Sequence, residues 1–206
     1  MKRFLSYFML IFCFFATVSA QQTSLVVDNQ TPGWLSSKIP FVDQATLKNL
    51  KVTGYLNGTD LKFIYELSKL RELVHLDLSD ANIVAGGDKY GQLNDKDAQD
   101  NVWTNGILSI YGTSRKKGTF LAIPKTIEKI DDIDVADTII IGGESLPQMN
   151  CRFGTSTNVI YFREGVEIIG SSTYLYANKV HLPTTIKNIE SHAFHDGSSS
   201  AYAIGT

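Results

Sequence analysis

The chain has 206 residues, a formal charge of −2 and a sequence pI near 6.1, a balance that offers no basic footprint for nucleic acid. Hydrophobic residues make up 43% and charged residues 19%, with five prolines and two cysteines, which excludes a disordered polymer and a disulfide-rich scaffold. This length can bury a core as one domain or two small ones without metal or disulfide staples.

The chain begins with Lys2 and Arg3, then an apolar run from Phe4 to Val18 broken only by Ser6 and Thr17. It closes on Val18-Ser19-Ala20, small residues of the kind a signal peptidase reads, so residues 1–20 are expected to be a secretory signal cleaved before Gln21. Such a run spans only about 22 Å as a helix, short of the roughly 30 Å of a bilayer core. After cleavage the balance is 17 basic to 21 acidic residues, a charge near −4. Only Cys151 then remains, read as a small buried hydrophobe, and no later run is long enough to span a membrane.

Leu47, Leu50 and Val52 carry the same spacing as Leu73, Leu76 and Leu78, 26 positions later. Each ends in an alternating pair, the mark of a short strand with one buried face. Between them, Asn57-Gly58-Thr59-Asp60 supplies a turn and helix N-cap candidates. Leu61, Phe63, Ile64, Leu67 and Leu70 then follow a helical stripe. Strand, turn, helix and strand at this period predict a leucine-rich-repeat coil, and residues 21–84 read as an N-terminal α/β cap. In Leu76-Asp-Leu78-Ser-Asp-Ala-Asn82-Ile83 the asparagine that normally bonds neighbouring backbone stands one place late.

Residues 85–118 are rich in Gly, Asp, Asn and Lys and read as a polar insertion. Its aromatics and the Ile107-Leu108-Ser-Ile110 stretch are expected to order part of it, the other reading being a mobile linker. From 119 to 206 a second repeat takes over. Ile123-Pro124-Lys-Thr-Ile127-Glu-Lys-Ile130 is echoed by Leu182-Pro183-Thr-Thr-Ile186-Lys-Asn-Ile189, and by Phe162-Arg163-Glu-Gly-Val166-Glu-Ile-Ile169 with arginine in the proline position. Ile141 reads as a further echo with a degenerate second half, giving spacings of 18, 21 and 20. Units this short cannot bury their own apolar flank, so they must stack on one another.

The run Leu182-Pro183-Thr-Thr-Ile186-Lys-Asn-Ile189-Glu-Ser-His-Ala193-Phe194 resembles the BspA-type leucine-rich repeat found in exported surface proteins of Bacteroidetes-type bacteria. The segments Thr31-Pro-Gly-Trp34-Leu-Ser-Ser37, Leu56-Asn-Gly-Thr-Asp60 and Leu76 to Val84 resemble the cap that precedes such repeats. The resemblance implies an α/β, β-rich, right-handed leucine-rich-repeat solenoid with an N-terminal α/β cap. It also implies a secreted or surface-displayed protein that adheres to host or bacterial partners and carries no catalytic residues.

Candidate chemistry is sparse. His192 and His195 lie three apart, but a zinc site needs further ligands, and a solvated turn around Ala193-Phe194 accounts for them. Asp95, Asp97 and Asp100 suggest calcium, yet the glycine and glutamate of the EF-hand pattern are missing. No nucleophile elbow or zinc-protease helix is present, and no cofactor or metal site is expected. The binding candidates are therefore aromatics: Tyr90, Trp103 and Tyr111 in the insertion, and Tyr174 and Tyr176 between repeats, each of which could instead anchor its own loop.

The sequence thus predicts a non-catalytic scaffold for a host or bacterial surface protein. A glycan-binding accessory module is the first alternative, and a hydrolase with no local motif the second. The tail Ala201-Tyr-Ala-Ile-Gly-Thr206 follows soon after a repeat boundary. It is read as a small cap, an edge for self-association, or the end of a truncated relative of longer proteins.

Overall fold

The short alternating runs become strands, and every pairing between named strands is parallel. A computed structural model describes residues 23–70, 72–93, 95–104, 106–108, 118–131, 133, 136–151, 153, 157–171, 173, 177–193 and 203–205. Its strands are β1 (Ser24–Asn29), β2 (Asn49–Leu56), β3 (His75–Asp77), β4 (Ala81–Ile83), β5 (Val102–Trp103), β6 (Phe120–Ala122) and β7 (Lys129–Ile130). They continue with β8 (Thr138–Ile141), β9 (Gln148–Met149), β10 (Val159–Phe162), β11 (Ile168–Ile169), β12 (Lys179–His181), β13 (Asn188–Ile189) and β14 (Ala203–Gly205). The main sheet runs β1-β2-β3-β6-β8-β10-β12-β14, with β4 also on β2, while β9, β11 and β13 form a second sheet and β5 with β7 a third. The described helices are α1 (Leu35–Lys38), α2 (Phe41–Gln44) and α3 (Gly58–Lys69). The fold is α/β with a mostly parallel β-sheet and few helices.

Register follows the sequence period. Leu50 pairs with Leu76, 26 positions on. Leu121, Ile139, Ile160 and Val180 then pair in turn at offsets of 18, 21 and 20. These side chains form an inward row, each 2% exposed or less, and burying one such residue contributes about 1.5–3 kcal/mol. β-Branched and aromatic residues dominate β8 and β10 because they suit a pleated, half-buried surface. Ile127 and Val166 are buried in the same core, and Ile186 packs against it, so the three share one environment.

The predicted helix at 61–70 is α3, which starts three residues earlier at a complete capping box. Asn57 Oδ1 accepts from the backbone N–H of Thr59 and Asp60, and Asp60 returns a carboxylate oxygen to the Asn57 N–H. Asp60 also accepts from the N–H groups of Gly33 (2.6 Å) and Leu35 (2.9 Å). One buried carboxylate therefore ties the loop before α1 to the start of α3, and three bonds from backbone N–H groups make its burial tolerable. Asn82, though displaced by one place, still reaches a neighbouring backbone: its Nδ2 donates to Gly54 O in a long 3.4 Å bond.

One expectation changes. The unit at Ile141 is not degenerate. Leu146 and Met149 supply its second apolar pair, and Met149 pairs with Ile169. One extra residue in the Gly142-Gly143 turn displaces the pair from its expected place. The described part of the insertion packs inward through its apolar residues. Ala98, Trp103 and Ile107 join the common core, and β5 pairs with β7. The tail contributes β14, which takes the edge of β12.

Candidate binding face of the main sheet

Strand alternation turns one set of side chains into the core and presents the other to solvent. On β3 and β6 the register sets His75 opposite Phe120, and on β10 and β12 it sets Tyr161 opposite His181. Adjacent strands lie about 4.8 Å apart, so flat rings at paired positions stack. The His75 and Phe120 rings are 4.0 Å apart at 9°, and those of Tyr161 and His181 are 4.1 Å apart at 8°. On β8, between the pairs, Thr138 stands opposite Phe120 and Ile140 opposite Tyr161, both half-buried, so the two stacks are offset by two residues along the strands. Beside them, at β1–β3, lies an open hollow of about 480 Å³ lined in part by Val26, Lys51, His75 and Asp77.

Charges of both signs share this face. Lys51 sits 3.4 Å from Asp77 and 2.6 Å from Asp80, and Lys125 lies 2.8 Å from Asp80. The hydrogen bond from Lys125, then that from Lys51, holds the Asp80 carboxyl down at about 2. Burial pushes the Asp77 carboxyl up, but the Ser79 hydroxyl and N–H, with Lys51, outweigh it and leave the group below its ordinary value. Lys51 is raised in return, chiefly by its bond to Asp80. Arg163, at the end of β10, donates to Gly142 O at 3.2 Å. Burial lowers its basicity while Asp77 and Asp80 oppose that from a distance.

The aromatics expected at a binding site are placed differently. Tyr90 is 1% exposed and Trp103 is fully buried, so neither can touch a partner. Trp103 is held in the β5–β7 pair, which ties the insertion to the residues that follow it, and the Tyr90 hydroxyl bonds the Thr104 hydroxyl within the insertion. Tyr111, Tyr174 and Tyr176 lie outside the described residues, as does His195. His192 is exposed at a positive φ of 66°. Asp97 pairs with Lys89 at 2.8 Å and Asp100 accepts the Ala85 N–H. Among the described residues no cluster of three His, Cys, Asp or Glu could hold a metal ion, and no helix is long and apolar enough to cross a membrane.

The residues that form the two stacks, His75 with Phe120 and Tyr161 with His181, were not singled out from the sequence. A signal for them existed: in Val159-Ile160-Tyr161-Phe162 the buried positions alternate with Tyr161, which therefore points outward, and His181 lies one 20-residue period on. The chain matches no protein-family model and no curated protein.

Proposed function

We propose that this chain is an exported, non-catalytic recognition scaffold. It is read as a BspA-like leucine-rich-repeat solenoid with an N-terminal cap that adheres to host or bacterial surface proteins through the outer face of its main sheet. The observation that carries this reading is the pair of solvent-side ring stacks, His75 with Phe120 and Tyr161 with His181, set in register on strands whose other faces are core. Tyrosine and other flat rings supply rigid contact area at little entropic cost. The stacking also weighs against the glycan alternative. Each ring spends a face on its partner, so a sugar would meet ring edges more than an open platform.

The test is a panel of matrix and bacterial surface proteins, with a glycan array in parallel, against the parent chain and the Tyr161→Ala/His181→Ala double variant. Protein binding should fall at least about tenfold with the fold retained, the melting temperature dropping by about a few degrees at most because Tyr161 is 39% exposed and His181 half-buried. Unaltered binding by the variant, or hits confined to the glycan array, would reject the reading.

A further inference from the structure

Each main-sheet strand of the later repeats is followed by one recurring position. Pro124 fills it after Ile123, Gly142 after Ile141 and Pro183 after Leu182, all three buried. After Phe162 it holds Arg163, which is half-buried. The Arg163 backbone N–H donates to Ile141 O at 2.9 Å, and Nη1 donates to Gly142 O. A guanidinium carries five N–H donors in a planar fork. Among the described residues no carboxylate is in ion-pair contact with it. Asp80 is engaged by Lys51 and Lys125, and Asp77 by Lys51 and Ser79. Partly desolvating a cation without a contact counter-ion is costly, and uncharged residues serve the same turn in the neighbouring units. Packing alone does not call for arginine here.

Its location points outward to a ligand. Alternation along β10 buries Ile160 and Phe162 and exposes Tyr161, and Arg163, the first residue after the strand, keeps part of its surface in water. Its guanidinium reaches toward β8, where it meets Gly142 O, and it is close enough to Asp77 and Asp80 to feel their charge. We infer that Arg163 receives a single Asp or Glu carboxylate from a protein segment lying across the sheet face. The planar fork matches a carboxylate through two parallel hydrogen bonds. With Asp77 and Asp80 taken up by Lys51 and Lys125, the lone Arg163 guanidinium offers a place for one carboxylate and not the run of unpaired cations that a polyanion such as a sulfated glycan needs.

This inference rests on the binding reading above, and its test separates the two. The full chain is screened against a library of acetylated, amidated hexapeptides, with heparin and hyaluronate as a parallel arm. Selected peptides should carry Asp or Glu, and replacing that residue by its amide should weaken binding at least about tenfold. Arg163→Gln should weaken the acidic peptide by a similar factor, with no further loss when both changes are combined. Arg163→Lys should recover part of the affinity, and the melting temperature of Arg163→Gln should equal or exceed that of the parent. Peptide binding indifferent to acid, undiminished affinity in Arg163→Gln, no peptide binder at all, or binding only to the polyanions would each overturn the assignment. If Tyr161→Ala/His181→Ala abolishes peptide binding and Arg163→Gln does not, the sheet face stands and Arg163 falls. If neither variant changes it, both fall.

Discussion

Trp103 and Tyr161 are both aromatics in short strands, and their surroundings give them opposite tasks. Trp103 is fully enclosed beside Ile130, its partner in β7, whereas Tyr161 leaves 39% of its surface in water. Removing the indole would open a cavity that parallel neighbours on a fixed ladder cannot easily close. Trp103→Ala should therefore cost about 3–5 kcal/mol in urea denaturation, while Tyr161→Ala costs about 1 kcal/mol or less. A Trp103→Ala loss below about 1 kcal/mol would show that the insertion is not anchored through this side chain. Asp60 belongs with Trp103 in kind: a carboxylate is tolerated at 1% exposure because the N–H groups of Asn57, Gly33 and Leu35 converge on it.

Between elements, the turns bind one unit to the next as firmly as the strands do. Glu164 accepts from both the N–H and the hydroxyl of Thr184, bonds that hold its carboxyl below the ordinary value, and the Gly165 N–H donates to Thr185 Oγ1. Gly165 has φ of 99°, and a Cβ there would stand 2.5 Å from Glu144 N and 2.7 Å from its Cα, both in the preceding turn. Gly165→Ala should therefore destabilise by roughly 2 kcal/mol or more, because strain and backbone collision act together. A thermal melt within about 1 °C of the parent would refute that contact. The strand registers of these units were legible because an apolar period survives any choice of surface residue, and the Asn57 cap because its chemistry is local. The unit at Ile141 was not, since one residue added at Gly142-Gly143 displaces Leu146 and Met149 from the repeating frame. The ring stacks were hidden for another reason. His75 and Phe120 are 45 positions apart, so only the β3–β6 pairing reveals them as neighbours. Tyr90 and Trp103 misled because the polar residues around them conceal that Ala98 and Ile107 join the same core.

Among the described residues, one continuous core runs from Val27 to Ala193, yet along the main sheet each strand pairs with its neighbours in the order, β2 also carrying β4. These two facts pull in different directions. A shared core favours a single cooperative transition, whereas pairing limited to neighbours favours fraying from the ends. The balance can be read by weakening the inward rows at two places. Ile139, on β8, is flanked by Leu121 and Ile160, so Ile139→Ala opens a gap in mid-sheet costing about 2–5 kcal/mol. Among the described residues Val27, on the edge strand β1, pairs only with Val52, so Val27→Ala loosens one end. Hydrogen exchange followed by mass spectrometry should show Ile139→Ala lowering protection in β3 through β12. Val27→Ala should accelerate exchange in β1 and β2 and leave β10 and β12 at the parent rate. Equal acceleration at β12 in both variants would mean that the sheet opens as one unit. A binding face spread from β3 to β12 would then be present or absent as a whole, instead of persisting when an end frays.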